Sequence, residues 1–303
     1  MTVAEHPVRR GWTYLQERFP LGAHGPLVFA FAGGVTCASA ALRGAPGPGW
    51  PVALTAVAVA LGFFFQLRVA DEWKDAEADR LHQPERPVPR GLVTLRELTA
   101  AALAVAAVQV AFAVALDPRL VAALAVVWGY GALMTAEFGV REWLADRPLA
   151  VLLSHGVIVP LIDGFAVACD VLAHGAALHG GLGPLLGVGF FGGMVVEVGR
   201  KVRAPREERS GVDTYSARWG RGGATTLWLV ALALSLACGL AVLRAVAAPP
   251  GLSVALAGGA AACAGVALYA LRADLLGRAV EAAAGLWTLA LYATIGPLAL
   301  LIR

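Results

Sequence analysis

The sequence has 303 residues, of which 58% are hydrophobic and only 15% are charged. A soluble globular protein carries about 25% charged residues, and a chain of this size has too much apolar surface to bury in a soluble core. We therefore expect an all-α membrane protein. The four cysteines lie in apolar segments without metal-ligand spacing, which excludes a secreted disulfide protein. The formal net charge is +3, and we expect no nucleic-acid partner.

Nine apolar segments approach the roughly 20 residues that a helix needs to cross a bilayer. Their approximate bounds are 26–42, 51–67, 98–116, 120–136, 149–172, 182–196, 225–243, 252–271 and 282–302. The chain is therefore predicted to consist of two parts. Residues 1–25 form a cytoplasmic amphipathic segment, and residues 26–303 form a domain of nine transmembrane helices.

The basic residues are unevenly distributed between the two sides of these segments. With alternating spans, 20 of the 24 Lys and Arg fall in the amino-terminal tail and in the loops after spans two, four, six and eight. Cytoplasmic loops carry an excess of Lys and Arg. We therefore predict a cytoplasmic amino terminus and a carboxyl terminus on the opposite side, and we expect the protein in a bacterial inner (plasma) membrane.

The loop after span two carries an acidic stripe. Asp71, Asp75 and Asp79 recur every four residues, so a helix that continues from span two places them along one face. Three like charges in a row repel one another unless a cation lies among them, and carboxylate oxygens suit Mg²⁺ that also contacts phosphate. A solvated helix end with alternating charge would explain the same spacing.

A proline-rich tail follows the stripe, and residues 84–91 read PERPVPRG. Its closely spaced prolines exclude a helix and predict extended backbone. The tail presents Arg86 and Arg90 at a fixed distance beyond the acids, as diphosphate-binding cations would be. The chain has only two lysines, Lys74 and Lys201, one in each of its two most basic loops. Both are candidates for binding a phosphate group.

Together, residues 71–91 resemble the first aspartate-rich signature of the UbiA superfamily of intramembrane prenyltransferases. That signature reads Asn-Asp-x-x-Asp-x-x-x-Asp and is followed by Arg-Pro-(Ile/Val)-Pro-x-Gly. Asp71 stands at the place of the Asn and Glu72 at that of the first Asp, whereas Asp75, Asp79 and the tail match directly. The resemblance implies nine spans around a central cavity, with two cytoplasmic motif loops after helices 2 and 6.

The loop after span six, residues 197–220, departs from the family's second motif, which reads Asp-x-x-Asp-x-x-(Gly/Asp)-Asp. With the Gly-Val-Asp-Thr that follows as the anchor, the last acid falls on Glu207, whereas Arg200 and Arg203 stand where the earlier acids are usual. Glu197 lies one turn before Arg200 and supplies an acid from a different position. One physical interpretation is that cations here neutralise diphosphate charge where the family uses a metal.

The resemblance implies an Mg²⁺-dependent prenyltransferase that moves an isoprenyl group from an isoprenoid diphosphate to an aromatic or lipid-like acceptor within the lipid bilayer. The residues implied as catalytic and as metal ligands are Asp71, Glu72, Asp75 and Asp79, with Glu197 and Glu207 as further metal ligands. The implied diphosphate-binding residues are Arg68, Lys74, Arg86, Arg200, Lys201 and Arg203.

Two polar residues within the fifth apolar segment, His155 and Asp163, are candidates for the part of the cavity that receives the acceptor. An ionisable side chain inside a span marks a site or a pathway by default. A hydrogen bond between two helices would explain them equally well.

Two other functions stay open. A UbiA-type terpene cyclase would ionise the same diphosphate without an acceptor, and the altered second motif is compatible with it. A transporter or channel would also carry charged residues near its spans. It would, however, place paired polar breaks at mid-membrane, whereas the acidic stripe lies at the membrane edge.

Overall fold

The computed structural model describes residues 7–208 and 213–302. These residues form helices and turns and contain no strand, as the sequence predicts. In chain order the helices are α1 (Pro7–Arg18), α2 (Leu21–Leu42), α3 (Trp50–Lys74), α4 (Ala76–His82), α5 (Leu95–Leu116), α6 (Leu120–Thr135), α7 (Arg141–Ala145), α8 (Pro148–Gly156), α9 (Ile158–Ala173), α10 (Leu182–Arg200), α11 (Tyr215–Ala245), α12 (Pro250–Arg272), α13 (Leu276–Ala293) and α14 (Ala299–Leu301).

Within the described residues, eight helical stretches are long and apolar enough to cross a membrane. They are His24–Leu42, Trp50–Lys74, Leu95–Leu116, Pro148–Ala173, Leu182–Arg200, Tyr215–Ala245, Pro250–Arg272 and Leu276–Leu301. The chain is therefore an integral membrane protein. The remaining predicted segment corresponds to α6, an apolar helix of 16 residues. At about 24 Å it is shorter than the roughly 30 Å hydrocarbon core, so the ninth span stays a prediction.

The fifth predicted span is broken into α8 and α9. Pro160 has no N–H to donate to the carbonyl of Gly156, and α8 ends at that glycine. The hydroxyl of Tyr130 donates to the carbonyl oxygen of Ser154 at 2.6 Å, which links α6 to α8 beside the break. The break therefore lies one residue after His155, at the end of the bundle that carries both motifs.

Small residues allow close contact between α2 and the carboxyl-terminal end of α13. A Cβ added to Gly34 would lie 2.8 Å from the Cβ of Tyr292, and one added to Gly296 would lie 2.5 Å from the carbonyl oxygen of Gly34. Backbones can approach this closely only where side chains are absent, which is how small residues pack helices in lipid. The first and last long helices are thereby held side by side.

The end of the bundle away from the two motifs is closed by a buried ion pair. Arg43 Nη2 lies 3.0 Å from Asp170 Oδ1, and the hydroxyl of Ser39 donates to Asp170 Oδ2 at 2.8 Å. This carboxylate is fully buried, and both of its oxygens already have partners.

Candidate active site

The two motifs meet at one end of the bundle, where α3 and α10 both end. The charges of Asp71 and Arg200 interact across this end, and Lys74 forms an ion pair with Glu137, which follows α6. The imidazole of His155 lies 3.3 Å from the other oxygen of Glu137. The ends of α3 and α10 and the segment after α6 therefore lie around one opening of the bundle. We call this opening the mouth; it is surrounded by Asp71, Lys74, Glu137, His155 and Arg200.

The acidic stripe is helical, with a break in the middle. Helix α3 continues past the apolar segment to Lys74, turns at Asp75 and resumes as α4. The side chain of Asp71 is 53% exposed, Asp75 is half-buried and Asp79 is buried. Burial raises the pKa of Asp75 above its ordinary value, and the neighbouring charge of Asp79 raises it further. The predicted electrostatic repulsion along the stripe is thus present.

The proline-rich tail folds back onto the stripe. It is not helical, as predicted, but its backbone forms hydrogen-bonded turns rather than the extended segment that we expected. Gly91 N donates to the carbonyl oxygen of Val88 at 3.0 Å. A proline fixes φ near −65°, and this value suits a turn as well as an extended chain. The turns bring Arg86 Nη1 to 2.6 and 2.7 Å from the two carboxylate oxygens of Asp79.

Glu72 lies outside the face that the stripe forms. Its side chain is 1% exposed, and its carboxylate accepts a hydrogen bond from Arg18 Nε at 2.7 Å. Arg68 Nε lies 3.7 Å from the same oxygen. Successive residues on a helix point about 100° apart, so Glu72 faces α1 while Asp71 remains at the mouth.

The second motif places its cations against a carboxylate. At the end of α10, Glu197 forms ion pairs with Arg200 and, at 2.9 Å, with Lys201. Arg203 lies 3.3 Å from Glu281 on α13. The positions where the family uses acids therefore present positive groups, whose partners are exposed enough to be exchanged for a ligand.

Glu207 takes a capping position beyond the cations of the second motif. Its Oε2 accepts a hydrogen bond from the backbone N of Ala204 at 3.2 Å, around the turn at Pro205. A Cβ added to Gly277 would lie 1.9 Å from the same oxygen, so the carboxylate rests against the start of α13. Residues 209–212, which hold the Gly-Val used as the sequence anchor, lie outside the described residues.

Sequence reasoning missed Glu137. The residue and its neighbour Phe138 both have left-handed backbone, with φ of 50° and 53°, a conformation that is uncommon for non-glycine residues and clusters at functional sites. This turn directs the carboxylate of Glu137 between Lys74 and His155. The signal available in the sequence was an acid directly after an apolar segment, followed two residues later by Gly139.

The two residues predicted for the acceptor cavity are not together. His155 lies at the mouth, whereas Asp163 is about 12 Å further along the helix axis and fully buried. Neither carboxylate oxygen of Asp163 has a hydrogen-bond partner among the described residues. A Cβ added to Gly189 would lie 1.8 Å from Asp163 Oδ2, so the absent side chain of that glycine provides the space for the carboxylate.

An apolar cavity of about 170 Å³ begins beside the stripe. Its walls come from α3, α6 and α9, and are formed by Phe63, Gln66, Leu67, Ala70, Val127, Trp128, Gly131, Ala132, Thr135, Ile158 and Ile162. Ala70 directly precedes Asp71. Two of these wall residues are hydrogen-bonded to each other between α6 and α3: Trp128 Nε1 donates to Gln66 Oε1 at 3.1 Å. A charged head group at the stripe would therefore place an apolar tail at this cavity.

The acids at the mouth fit Mg²⁺. Among the described residues, no group of three or more His, Cys, Asp or Glu side chains is placed to hold a metal ion. Mg²⁺ does not require such a group, because it binds through one or two carboxylates, several waters and the phosphates of a substrate. Asp71 and Asp75 lie close enough for their charges to interact, and so do Asp75 and Asp79. One or two of these carboxylates would supply the protein's oxygen donors to such a site.

Comparisons with known proteins match these features. The model of the UbiA prenyltransferase family matches residues 27–292. A search of curated proteins finds no match. The fold is similar to that of a UbiA homologue from Aeropyrum pernix K1, with a TM-score of 0.64 and 17% identity over 89% of this chain and 94% of that chain.

Two further solved structures share the fold. A UbiA homologue from Archaeoglobus fulgidus, bound to DMAPP and Mg²⁺, has a TM-score of 0.56 and 14% identity over 93% of this chain and 98% of that one. Digeranylgeranylglyceryl phosphate synthase has a TM-score of 0.53 and 15% identity over 97% and 98% of the two chains. At these identities the likeness extends to the fold alone.

Proposed function

Because the chain belongs to the UbiA prenyltransferase family, we propose that it is an Mg²⁺-dependent membrane enzyme that moves an isoprenyl group from an isoprenoid diphosphate to an acceptor. The observation that supports this most directly is the mouth itself. There the acids of one motif face the cations of the other beside an apolar cavity. The Archaeoglobus fulgidus homologue, which binds DMAPP and Mg²⁺, is consistent with the same ligands here.

The metal site of the proposal consists of Asp71, Asp75 and Asp79. Their carboxylates would hold Mg²⁺, which would supply positive charge to stabilise the leaving pyrophosphate. Glu72 is buried against α1 and Glu207 caps a turn, so the geometry favours the three aspartates over these two predicted ligands. Glu197 remains a candidate, since it lies at the mouth.

The cations of the proposal are paired with carboxylates before substrate arrives. All six predicted diphosphate-binding residues have such a partner: Arg68, Lys74, Arg86, Arg200, Lys201 and Arg203. Diphosphate binding then exchanges carboxylate partners for phosphate oxygens, which avoids leaving cations buried without a counter-charge. Charge-assisted contacts of this kind are about twice as strong as neutral ones.

The reaction has two requirements, and they fall on different parts of the site. The mouth stabilises the charge of the pyrophosphate, and the apolar cavity keeps water from the carbocation. As the allylic C–O bond breaks, its electron pair leaves with pyrophosphate, and the apolar walls keep water from the resulting carbocation. The acceptor then forms a bond to that carbon and loses a proton. His155 lies at the mouth with its Nε2 toward Glu137, and this position favours it over the deeper Asp163 as a group that orients the acceptor.

The proposal places both motifs on the cytoplasmic side of a bacterial inner membrane. The asymmetry of the basic residues supports this orientation, and a soluble supply of isoprenoid diphosphates inside the cell would reach the mouth directly. The amino terminus is then cytoplasmic and the carboxyl terminus lies on the opposite side.

Product analysis distinguishes a transferase from a cyclase. The purified protein is given a series of prenyl diphosphates, with and without a lipid extract as the source of acceptor, and the products are identified by mass spectrometry. We expect pyrophosphate release that depends on the acceptor, together with a prenylated product. A cyclic hydrocarbon or terpene alcohol formed at a catalytic rate from the diphosphate alone would replace the transferase by a cyclase.

A further inference from the structure

We propose that helix α1 is part of the active-site end of the bundle, and that Arg18 and Glu72 form a positioning pair. This pair fixes the end of α3, which carries Asp71 and leads into Asp75. The docking of α1 is independent of the reaction, whereas its consequence for activity rests on the proposed function. Glu72 then serves the site through Arg18 rather than as a magnesium ligand.

The positioning pair is buried. Arg18 Nε lies 2.7 Å from Glu72 Oε1, and the two side chains are 14% and 1% exposed. Arg68 adds a second cation 3.7 Å from the same oxygen. Removing Glu72 would take the counter-charge from the partly buried Arg18, whereas removing Arg18 would leave the buried Glu72 with only the more distant Arg68; both changes are unfavourable. The contact therefore fixes the direction of Glu72, which is the immediate neighbour of Asp71.

Two further ion pairs hold α1 to the other end of the first motif. Arg90 Nη2 lies 2.7 Å from Glu17 Oε1. Arg10 lies 2.6 Å from Glu97 and donates a hydrogen bond to the carbonyl oxygen of Leu92 at 3.2 Å. Helix α1 thus contacts the residues before the stripe and those after the proline-rich tail, so it spans the first motif from one side to the other.

The orientation of α1 indicates that charge contacts direct its docking. Val8 and Trp12 on its outer side are 74% and 53% exposed, whereas Arg18 faces the protein. The apolar contribution to docking comes from Tyr14, which is buried in a small cluster with Val69, Val93 and Leu98. The side of α1 that faces the bundle therefore combines a charge with a buried aromatic ring, while the exposed Val and Trp suit the predicted amphipathic segment.

The hydroxyl of Tyr14 shows how closed this contact is. It is buried and has no hydrogen-bond partner in the part of the chain that the structure describes, and it lies within electrostatic range of Glu72, Arg68 and Arg18. Burial, followed by the charge of Glu72, raises the pKa of Tyr14 above its ordinary value, so the hydroxyl stays protonated.

The test compares three variants of the full-length protein in lipid nanodiscs: Arg18→Ala, Arg18→Lys and Glu72→Gln. Arg96→Ala is the matched control, because Arg96 is exposed and has no ion pair among the described residues. The first readout is hydrogen exchange of residues 7–18, measured by mass spectrometry. The second is the pair of kinetic constants, kcat and the Mg²⁺ concentration that gives half-maximal activity, with Asp75→Asn as the reference for a lost metal ligand.

We expect Arg18→Ala and Glu72→Gln to accelerate exchange in residues 7–18 by about tenfold or more, since each removes the short ion pair that joins α1 to α3. Exchange in α9 and α13 should not change. Both variants should lower kcat by about tenfold or more through misplacement of the acids, at an unchanged Mg²⁺ half-saturation. Arg18→Lys should restore part of both effects, and Arg96→Ala should behave like the unmodified protein.

Two results would overturn the proposal. One is unchanged exchange of residues 7–18 in both variants. The other is a rise in the Mg²⁺ half-saturation of Glu72→Gln that equals that of Asp75→Asn, which would make Glu72 a metal ligand. Failure of the proposed function is separate: a protein that cleaves no prenyl diphosphate would still show the exchange change if α1 docks through Arg18.

Discussion

Both carboxylate oxygens of Asp79 accept hydrogen bonds from one nitrogen of Arg86, at 2.6 and 2.7 Å. The pair joins the last acid of the stripe to the first cation of the proline-rich tail. In the proposed reaction the two partners separate, because Asp79 turns to magnesium and Arg86 to the diphosphate. The two residues should therefore influence different kinetic constants.

Arg86→Ala is expected to raise KM for the prenyl diphosphate, whereas Asp79→Asn should raise the Mg²⁺ half-saturation. The loss of one charge-assisted contact is about 1.5–3 kcal/mol, which corresponds to roughly a 10- to 150-fold change in KM. Steady-state kinetics over both ligand concentrations separates the effects. Arg80→Ala is the control, because Arg80 is exposed and lies next to Asp79 on α4. Variants that lose only thermal stability would reduce the pair to a structural contact.

The pKa of Asp75 predicts how magnesium activation depends on pH. Burial raises this pKa, and the charge of Asp79 raises it further, while only the carboxylate form binds the metal. As the pH falls through the raised pKa, protons compete with Mg²⁺ and the half-saturation should increase. In Asp79→Asn this increase should begin at a lower pH, because one cause of the raised pKa is gone. An unshifted profile would show that another group controls magnesium binding.

Kinetics of variants in the second motif distinguish two roles for it: diphosphate binding by its cations, or metal binding by Glu197. If Lys201 and Arg203 bind the diphosphate, replacing either by Ala should raise KM by the equivalent of about 1.5–3 kcal/mol. Glu197→Gln should then lower KM or leave it unchanged, since the variant releases Arg200 and Lys201 from their carboxylate partner. A severe loss in Glu197→Gln with silent cation variants would identify a second metal site in this loop.

The contact between Asp163 and Gly189 predicts a stability effect far from the mouth. A Cβ on Gly189 would lie 1.8 Å from Asp163 Oδ2, so Gly189→Ala should destabilise the protein by about 1–3 kcal/mol. The double variant with Asp163→Ala should recover part of this loss. Thermal unfolding in detergent measures the effect, with Gly183→Ala on the same helix as the control, because nothing lies within 4 Å of its Cβ position. Equal stability of the two glycine variants would contradict the packing.

The stripe was predictable from sequence because its spacing is local. Helix α3 continues to Lys74 as the four-residue spacing predicts, although the break at Asp75 was not predicted. The proline-rich tail likewise ends a helix by its own chemistry. The partners of these residues were not predictable in the same way. Arg18 and Glu72 are 54 residues apart, and the position of Glu137 between Lys74 and His155 depends on a left-handed turn. Spacing also could not show that Glu72 faces α1.

The most direct test of the account is pyrophosphate release from an allylic isoprenoid diphosphate by the purified protein in lipid vesicles with an acceptor extract. EDTA should abolish the release and added Mg²⁺ should restore it. In Asp75→Asn the same Mg²⁺ concentration should leave the rate lower by about 100-fold or more, as expected when charge stabilisation of the transition state is lost. Undiminished release in metal-free buffer, or an Asp75→Asn variant that works normally, would contradict the assignment of the acidic stripe as the magnesium and diphosphate site.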